Sequence, residues 1–160
     1  MPNWVRNRMF VHGKASQVKE CLREISDNEE HISLNRIVPK PKDIGEDWYD
    51  WCVTNWGTKW EITESFEDDE GWICFDTAWS TPATAILSLS EQWPDLSFEV
   101  EYADEDLGNN CGTYTFKNAT EISYFPWGIK EACQIWGYDL SEIAPDIYRN
   151  DQIDKIIDDE

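Results

Sequence analysis

The feature that most constrains how this chain can fold is a change of hydrophobic period near its start. From Trp4 to His12, Val5, Met9 and Val11 fall on one parity and Trp4, Arg6, Arg8 and Phe10 on the other, the two-residue repeat of a half-buried strand. Gly13 ends that repeat. Val18, Cys21, Leu22 and Ile25 then follow at i, i+3, i+4 and i+7, one buried face of a helix that Ser16 can cap. Ile32, Leu34 and Ile37-Val38 predict a second strand, stopped by Pro39-Lys40-Pro41 because proline cannot donate to a ladder. The expected opening unit is βαβ.

Residues 43–55 predict a short helical insert carrying Trp48, Trp51 and Cys52, with Asp43 as a possible cap and Gly57 beyond its end. Residues 59–66 and 71–77 predict a hairpin with an acidic tip at Glu67-Asp68-Asp69-Glu70-Gly71. Pro82 suits the first turn of a helix with Ala83, Ile86, Leu87 and Leu89 as its apolar stripe, and Pro94-Asp95 ends it. Two further strands, 97–103 and 111–116, flank the loop 104–110. Beyond residue 118 the pattern predicts only helices, one from about Pro126 to Trp136 and one from Pro145 bearing Ile147, Ile153, Ile156 and Ile157. The expected class is α+β: a ferredoxin-like antiparallel sheet with helices on one face over residues 1–118, with a Trp-rich insert at about 41–57. A helical extension, 119–160, packs on the same domain.

Length supports a single domain, since 160 residues with 41% apolar content suffice for one core. No window approaches the roughly 18 apolar residues of a membrane helix, and the start lacks the pattern of a secretion signal, so a cytoplasmic protein is expected. The five cysteines, Cys21, Cys52, Cys74, Cys111 and Cys133, are odd in number and contain no C-x-x-C pair. They read as small buried hydrophobes rather than a disulfide framework or zinc site.

The formal net charge is −20, and it is unevenly distributed. Residues 1–40 hold seven Lys/Arg against five Asp/Glu, whereas residues 41–160 hold six against 28, a net of −22. Such a field repels phosphate backbones and attracts basic surfaces.

Several strings resemble the YubB-like domains of phage, plasmid and genomic-island proteins, a family without assigned function. They are Met1-Pro2-Asn3-Trp4 with Asn7, Ile37-Val38-Pro39-Lys40-Pro41, Asn55-Trp56-Gly57-Thr58-Lys59-Trp60, and Phe75-Asp76-Thr77-Ala78-Trp79-Ser80 with Pro82; Pro94, Tyr102 and Gly112 also fit. Val5 stands where the family commonly has cysteine, and Thr81 where it has a second proline. The resemblance covers roughly residues 1–117 and implies a ferredoxin-like fold and a mobile-element origin, without chemistry.

Trp56, Lys59, Trp60, Asp76 and Trp79 are candidates for a Trp-lined pocket, or for a structural lock in which Lys59 pairs with Asp76. The loop from Asp104 to Asn110 alternates oxygen ligands, but its glycine falls one position early for a calcium-binding EF-hand loop and Thr115 replaces the distal glutamate. A solvated acidic turn is expected there. The two histidines, His12 and His31, have no nucleophile or orienting group at recognisable spacing. No catalytic, cofactor or metal site is expected, and no enzyme activity.

Arg6 and Arg8 beside Trp4 and Phe10 could serve an RNA-binding sheet face, as ferredoxin-like domains use it, but Glu99 and Glu101 on the neighbouring strand are placed to pair with them. The leading expectation is an acidic protein-binding module of a mobile element, a nucleic-acid-mimicking inhibitor of anti-CRISPR or anti-restriction type. It would bind a basic or nucleic-acid-binding host protein, with no direct nucleic-acid or membrane contact. Its binding surface would be Glu67, Asp68, Asp69, Glu70, Asp104, Glu105, Asp106, Asp158, Asp159 and Glu160. The alternatives are a ligand-binding or housekeeping module using the Trp-lined pocket, and an RNA-binding domain.

Overall fold

The computed structural model describes residues 3–159. Its central strand is β1 (Trp4–His12), whose alternation buries Val5, Asn7, Met9 and Val11 and turns Trp4, Arg6, Arg8 and Phe10 to the opposite face. The other strands are β2 (Ser65–Glu67), β3 (Ile73–Ala78), β4 (Ser97–Asp104), β5 (Cys111–Lys117) and β6 (Thr120–Pro126), in the spatial order β2-β3-β1-β4-β5-β6. Every neighbouring pair is antiparallel.

Two helices cover one face of this sheet. The stripe read from Val18 to Ile25 forms α1 (Ala15–Ile25), and α4 (Ala83–Gln92) buries Ala85, Ile86 and Leu89. Between them and the sheet lies the main core, including Met9, Cys21, Ile25, Ile73, Phe75, Leu89, Phe98, Val100 and Phe116. The α1 helix starts one residue before Ser16, and its cap position, Lys14, makes no side-chain cap.

The second strand is not where the sequence pattern put it. Residues 32–38 give one bridge, Ser26 to Ile32, and then the single-turn helix α2 (Leu34–Ile37). Ser33 caps that turn through the Arg36 amide, and the Glu61 carboxylate accepts the amides of Leu34 at 2.6 Å and Asn35 at 2.8 Å. These bonds satisfy orphan donors of a helix start, an option that the spacing of Ile32, Leu34, Ile37 and Val38 does not announce. The true partner of β3 is β2, shorter than the expected 59–66, so the strand-to-strand crossover from β1 runs through α1, α2 and α3 (Trp48–Asn55). The insert brings its own core residue: Trp56 is 1% exposed and donates its indole N–H to the Val38 carbonyl at 2.9 Å. Gly57 follows at φ +83, and a side chain there would meet Ala83 and Thr84 at the start of α4.

The segment from residue 119 is not purely helical. Asn118 and Ala119, both at positive φ (49° and 59°), form a two-residue turn, and the chain returns as β6 against β5. It then forms α5 (Ile129–Trp136), α6 (Leu140–Ile143) and α7 (Pro145–Asp158). All five cysteines are free, four of them buried and Cys74 half-buried. No helix among the described residues is long and apolar enough to cross a membrane.

Candidate functional site

The face of the sheet opposite α1 and α4 gathers most of the chain's organised polar chemistry. Arg6 reaches Asp76 on β3, Nε to Oδ1 at 3.2 Å, and its guanidinium lies 4.3 Å from the ring centre of Trp136. Arg8 bridges Glu101 on β4 and Asp68 in the β2–β3 turn, both at 3.2 Å, and lies 4.6 Å from the ring centre of Trp72. His12 meets Glu99 at 2.8 Å. Register explains the assignment. Arg8 stands opposite Glu101 as expected, but Arg6 faces Ala103 on β4 and Asp76 on β3, so Glu99 falls to His12 rather than to an arginine.

Ala103 and Cys111 are small enough to let α5 settle over one end of this face. Ala132 packs on them, and Trp136 donates its indole N–H to the Ala103 carbonyl at 2.9 Å. Between the end of α5 and the β2–β3 hairpin a groove of about 480 Å³ remains, lined among others by Arg6, Arg8, Phe66, Cys74, Asp76 and Ile135. Burial pushes the Glu101 carboxyl upward despite Arg8, and pushes the Cys74 thiol up as well. A thiol held protonated is a poor nucleophile. Asp68 loses some hydration, but the amides of Trp72 and Glu70 and the Arg8 guanidinium outweigh that loss and hold its carboxyl low. The face is thus a set of closed ion pairs under indole rings.

The five residues of the expected Trp-lined pocket do not converge. Trp56 points into the core, and Asp76 sits in the groove with Arg6. Lys59 pairs with neither; its ammonium lies between Trp60 and Trp79, 4.6 and 4.2 Å from their ring centres. The expected Lys59–Asp76 pair does not form, Asp76 being taken by Arg6, and the Lys59 cation is held by two indoles instead. Trp79 adopts φ +71, rare for a bulky residue, and is fixed there by its amide on Asn3 O and its carbonyl on Asn110 Nδ2.

The ten acidic candidates divide by environment. Glu67, Asp69, Glu70, Glu105, Asp106, Asp158 and Asp159 are exposed, and Glu160 lies outside the described residues. Asp68 is engaged as above. Asp104 is buried, accepting from Asn3, Asn110 and the Asp106 amide, so it shapes the β4–β5 loop instead of facing a partner. Sequence reasoning passed over Trp72 and Trp136 as covers for the arginines, and Glu61 as a cap. Each acts across a long sequence separation that no local pattern records.

A β-α-β-β-α-β path with its first four strands in the order 2-3-1-4 defines the ferredoxin-like class, here extended by a hairpin and three helices. The chain belongs to the family described as the ferredoxin-like domain in Api92-like protein, matched over residues 55–149, a stretch that takes in β2 to β6 and α4 to α6. Among solved structures it is similar to the crystal structure of a protein api92 from Yersinia pseudotuberculosis, at 15% identity and a TM-score of 0.44, covering 59% of this chain and 39% of that one. The chain thus spans about two fifths of that protein's length. A comparison with curated proteins finds no match.

Proposed function

We propose that this chain is an acidic protein-binding module that engages a basic, nucleic-acid-binding protein. Its mode would be that of a nucleic-acid-mimicking inhibitor of a host defence protein, of anti-CRISPR or anti-restriction type. The observation that carries this is an asymmetry of pairing. Both arginines of the open face are neutralised by carboxylates and lie over indole rings, while Glu67, Asp69, Glu70, Glu105, Asp106, Asp158 and Asp159 have no cationic partner among the described residues.

An incoming phosphate backbone would have to displace those internal carboxylates and meet a net charge of −20, whereas a basic surface would be steered in by it. The YubB-like strings support a mobile-element setting, in which such an inhibitor has a use, and the host cytoplasm as its place of action. The test is capture from host lysate on immobilised protein at low salt. Basic nucleic-acid-binding proteins should be retained, should elute as salt rises, and should be released by excess duplex DNA. Recovery of no such protein, or retention that DNA does not disturb, overturns the proposal.

A further inference from the structure

The α7 helix stands away from the body of the domain. Of its residues only Asp151 and Gln152 are even half-buried; Asp151 ties it to Lys130 of α5 and, within the helix, to Lys155 at 3.0 Å. The spacing of Ile153, Ile156 and Ile157, i, i+3 and i+4, sets them on one stripe, and they are 48%, 63% and 62% exposed. Water gives no reason for that stripe. Isoleucine is a weaker helix former than Ala, Glu or Lys, and a solvated helix gains nothing from an apolar face. Carboxylates surround it: Asp146, Asp154, Asp158 and Asp159 are all exposed. Asp158 and Asp159 sit at the helix C-terminus, where the unpaired carbonyls already concentrate negative charge and a cation is the favourable neighbour.

We propose that α7 is the docking element of this protein, inserting its isoleucine stripe into an apolar groove of a partner protein whose rim carries lysine or arginine. This rests on the acidic-module reading above and deepens it. Charge steers association and sets its salt dependence, but residence on the partner needs desolvated apolar anchors, and this helix carries them beside the acids. The occupant is not a second copy, because pairing these stripes would bring two chains of −20 and their flanking carboxylates together. Nor is it a membrane surface, which selects helices with basic polar faces.

The test uses the whole chain, isotopically labelled, with three synthetic peptides as probes: an amphipathic Leu/Lys helix, an oligolysine of equal charge, and a Leu/Glu helix. The Leu/Lys helix should bind about tenfold tighter than oligolysine, shift the amides of residues 145–159, and lose that advantage in the double variant Ile156→Gln, Ile157→Gln. Glutamine is the better helix former, so unchanged helicity in that variant excludes unfolding as the cause. Equal binding of the Leu/Lys helix and oligolysine, or shifts confined to the acidic turns, overturns the role of α7 and leaves the acidic module standing. Failure of both basic peptides at low salt sinks both. A dimer in sedimentation that the double variant disperses, or binding of the helix to lipid vesicles, also overturns the proposal by naming another occupant.

Discussion

Asn7 lies in the middle of β1 on its buried side, 0% exposed, where Val5 and Met9 flank it in the pleat. Its amide nitrogen is within reach of Thr77 Oγ1 at 2.9 Å, the Val5 carbonyl at 3.0 Å and the Phe75 carbonyl at 3.3 Å, while its oxygen has no partner among the described residues. An amide with two hydrogens and three acceptors ties β1 to β3 at the centre of the sheet. Asn7→Ala leaves those acceptors facing a small void and should cost about 1–3 kcal/mol, read as a lower denaturant midpoint at unchanged slope. Alternation alone assigns Asn7 to the inner face, so its burial was legible; its partners on β3, about seventy residues away, were not. The same holds for Arg6. Its outward parity was legible, but its choice of Asp76 over Glu99 depended on a register that only the assembled sheet fixes.

The elements read best were those whose period is set by burial on one face, such as β1, α1 and α4. Those read worst were decided by something else. The strand expected at 32–38 became α2 because the Glu61 carboxylate, arriving from 27 residues downstream, offered its amides better partners than a ladder did. The β6 strand carries only a brief alternation, Ile122 and Tyr124 against Glu121 and Ser123, with both apolar residues exposed, and its turn uses Asn118-Ala119 rather than a glycine, so neither signal marked it. Alanine at φ 59° is strained, and the bond from its amide to the buried Ser90 hydroxyl at 3.0 Å holds it in place. Ala119→Gly removes the Cβ clash of the left-handed region at some entropic cost and should raise stability by about 0.5–1 kcal/mol, measured as a higher thermal midpoint.

The attachment of α7 has a pH dependence of definite sign. The Lys130 ammonium, and then Lys155, hold the Asp151 carboxyl below the usual carboxylate range. That link is present above the ordinary aspartate value, about 3.9, and is lost as pH falls toward the lowered one. At the other end, Asp151 raises Lys130 above the ordinary lysine value, so its contribution is complete below that value and lost as pH rises through the raised one. Protection of the α7 amides, taken relative to their intrinsic exchange, should therefore be lowest at both extremes of pH, and Asp151→Asn should flatten the acid limb. An unaltered acid limb in that variant would assign the effect to other groups.

At the scale of the whole molecule, the sign and size of the charge were plain in the sequence, but its division into structural and exposed carboxylates was not. Asp104 and Asp68 look no different from Asp106 and Asp69 until hydrogen bonds are assigned. A chain of −20 repels itself when compact. Moderate salt should consequently raise its thermal midpoint at neutral pH, by screening over a Debye length of about 10 Å at 0.1 M, even as it weakens association with a basic partner. A midpoint insensitive to salt would mean that the charges are already balanced locally.

The central position of β1 also bears on how the chain is made. Its two neighbours are residues 73–78 and 97–104, so the strand that organises the sheet has neither partner when it leaves the ribosome. At 5–20 residues per second, the interval until β4 follows is roughly 5–20 s. Throughout it the β4-facing edge of β1, with Val5, Met9 and Val11 on one side and Trp4 and Phe10 on the other, stays open to any other strand edge. The order in which the sheet can close is thus set by translation, and nascent chains are where misassembly of this protein should begin.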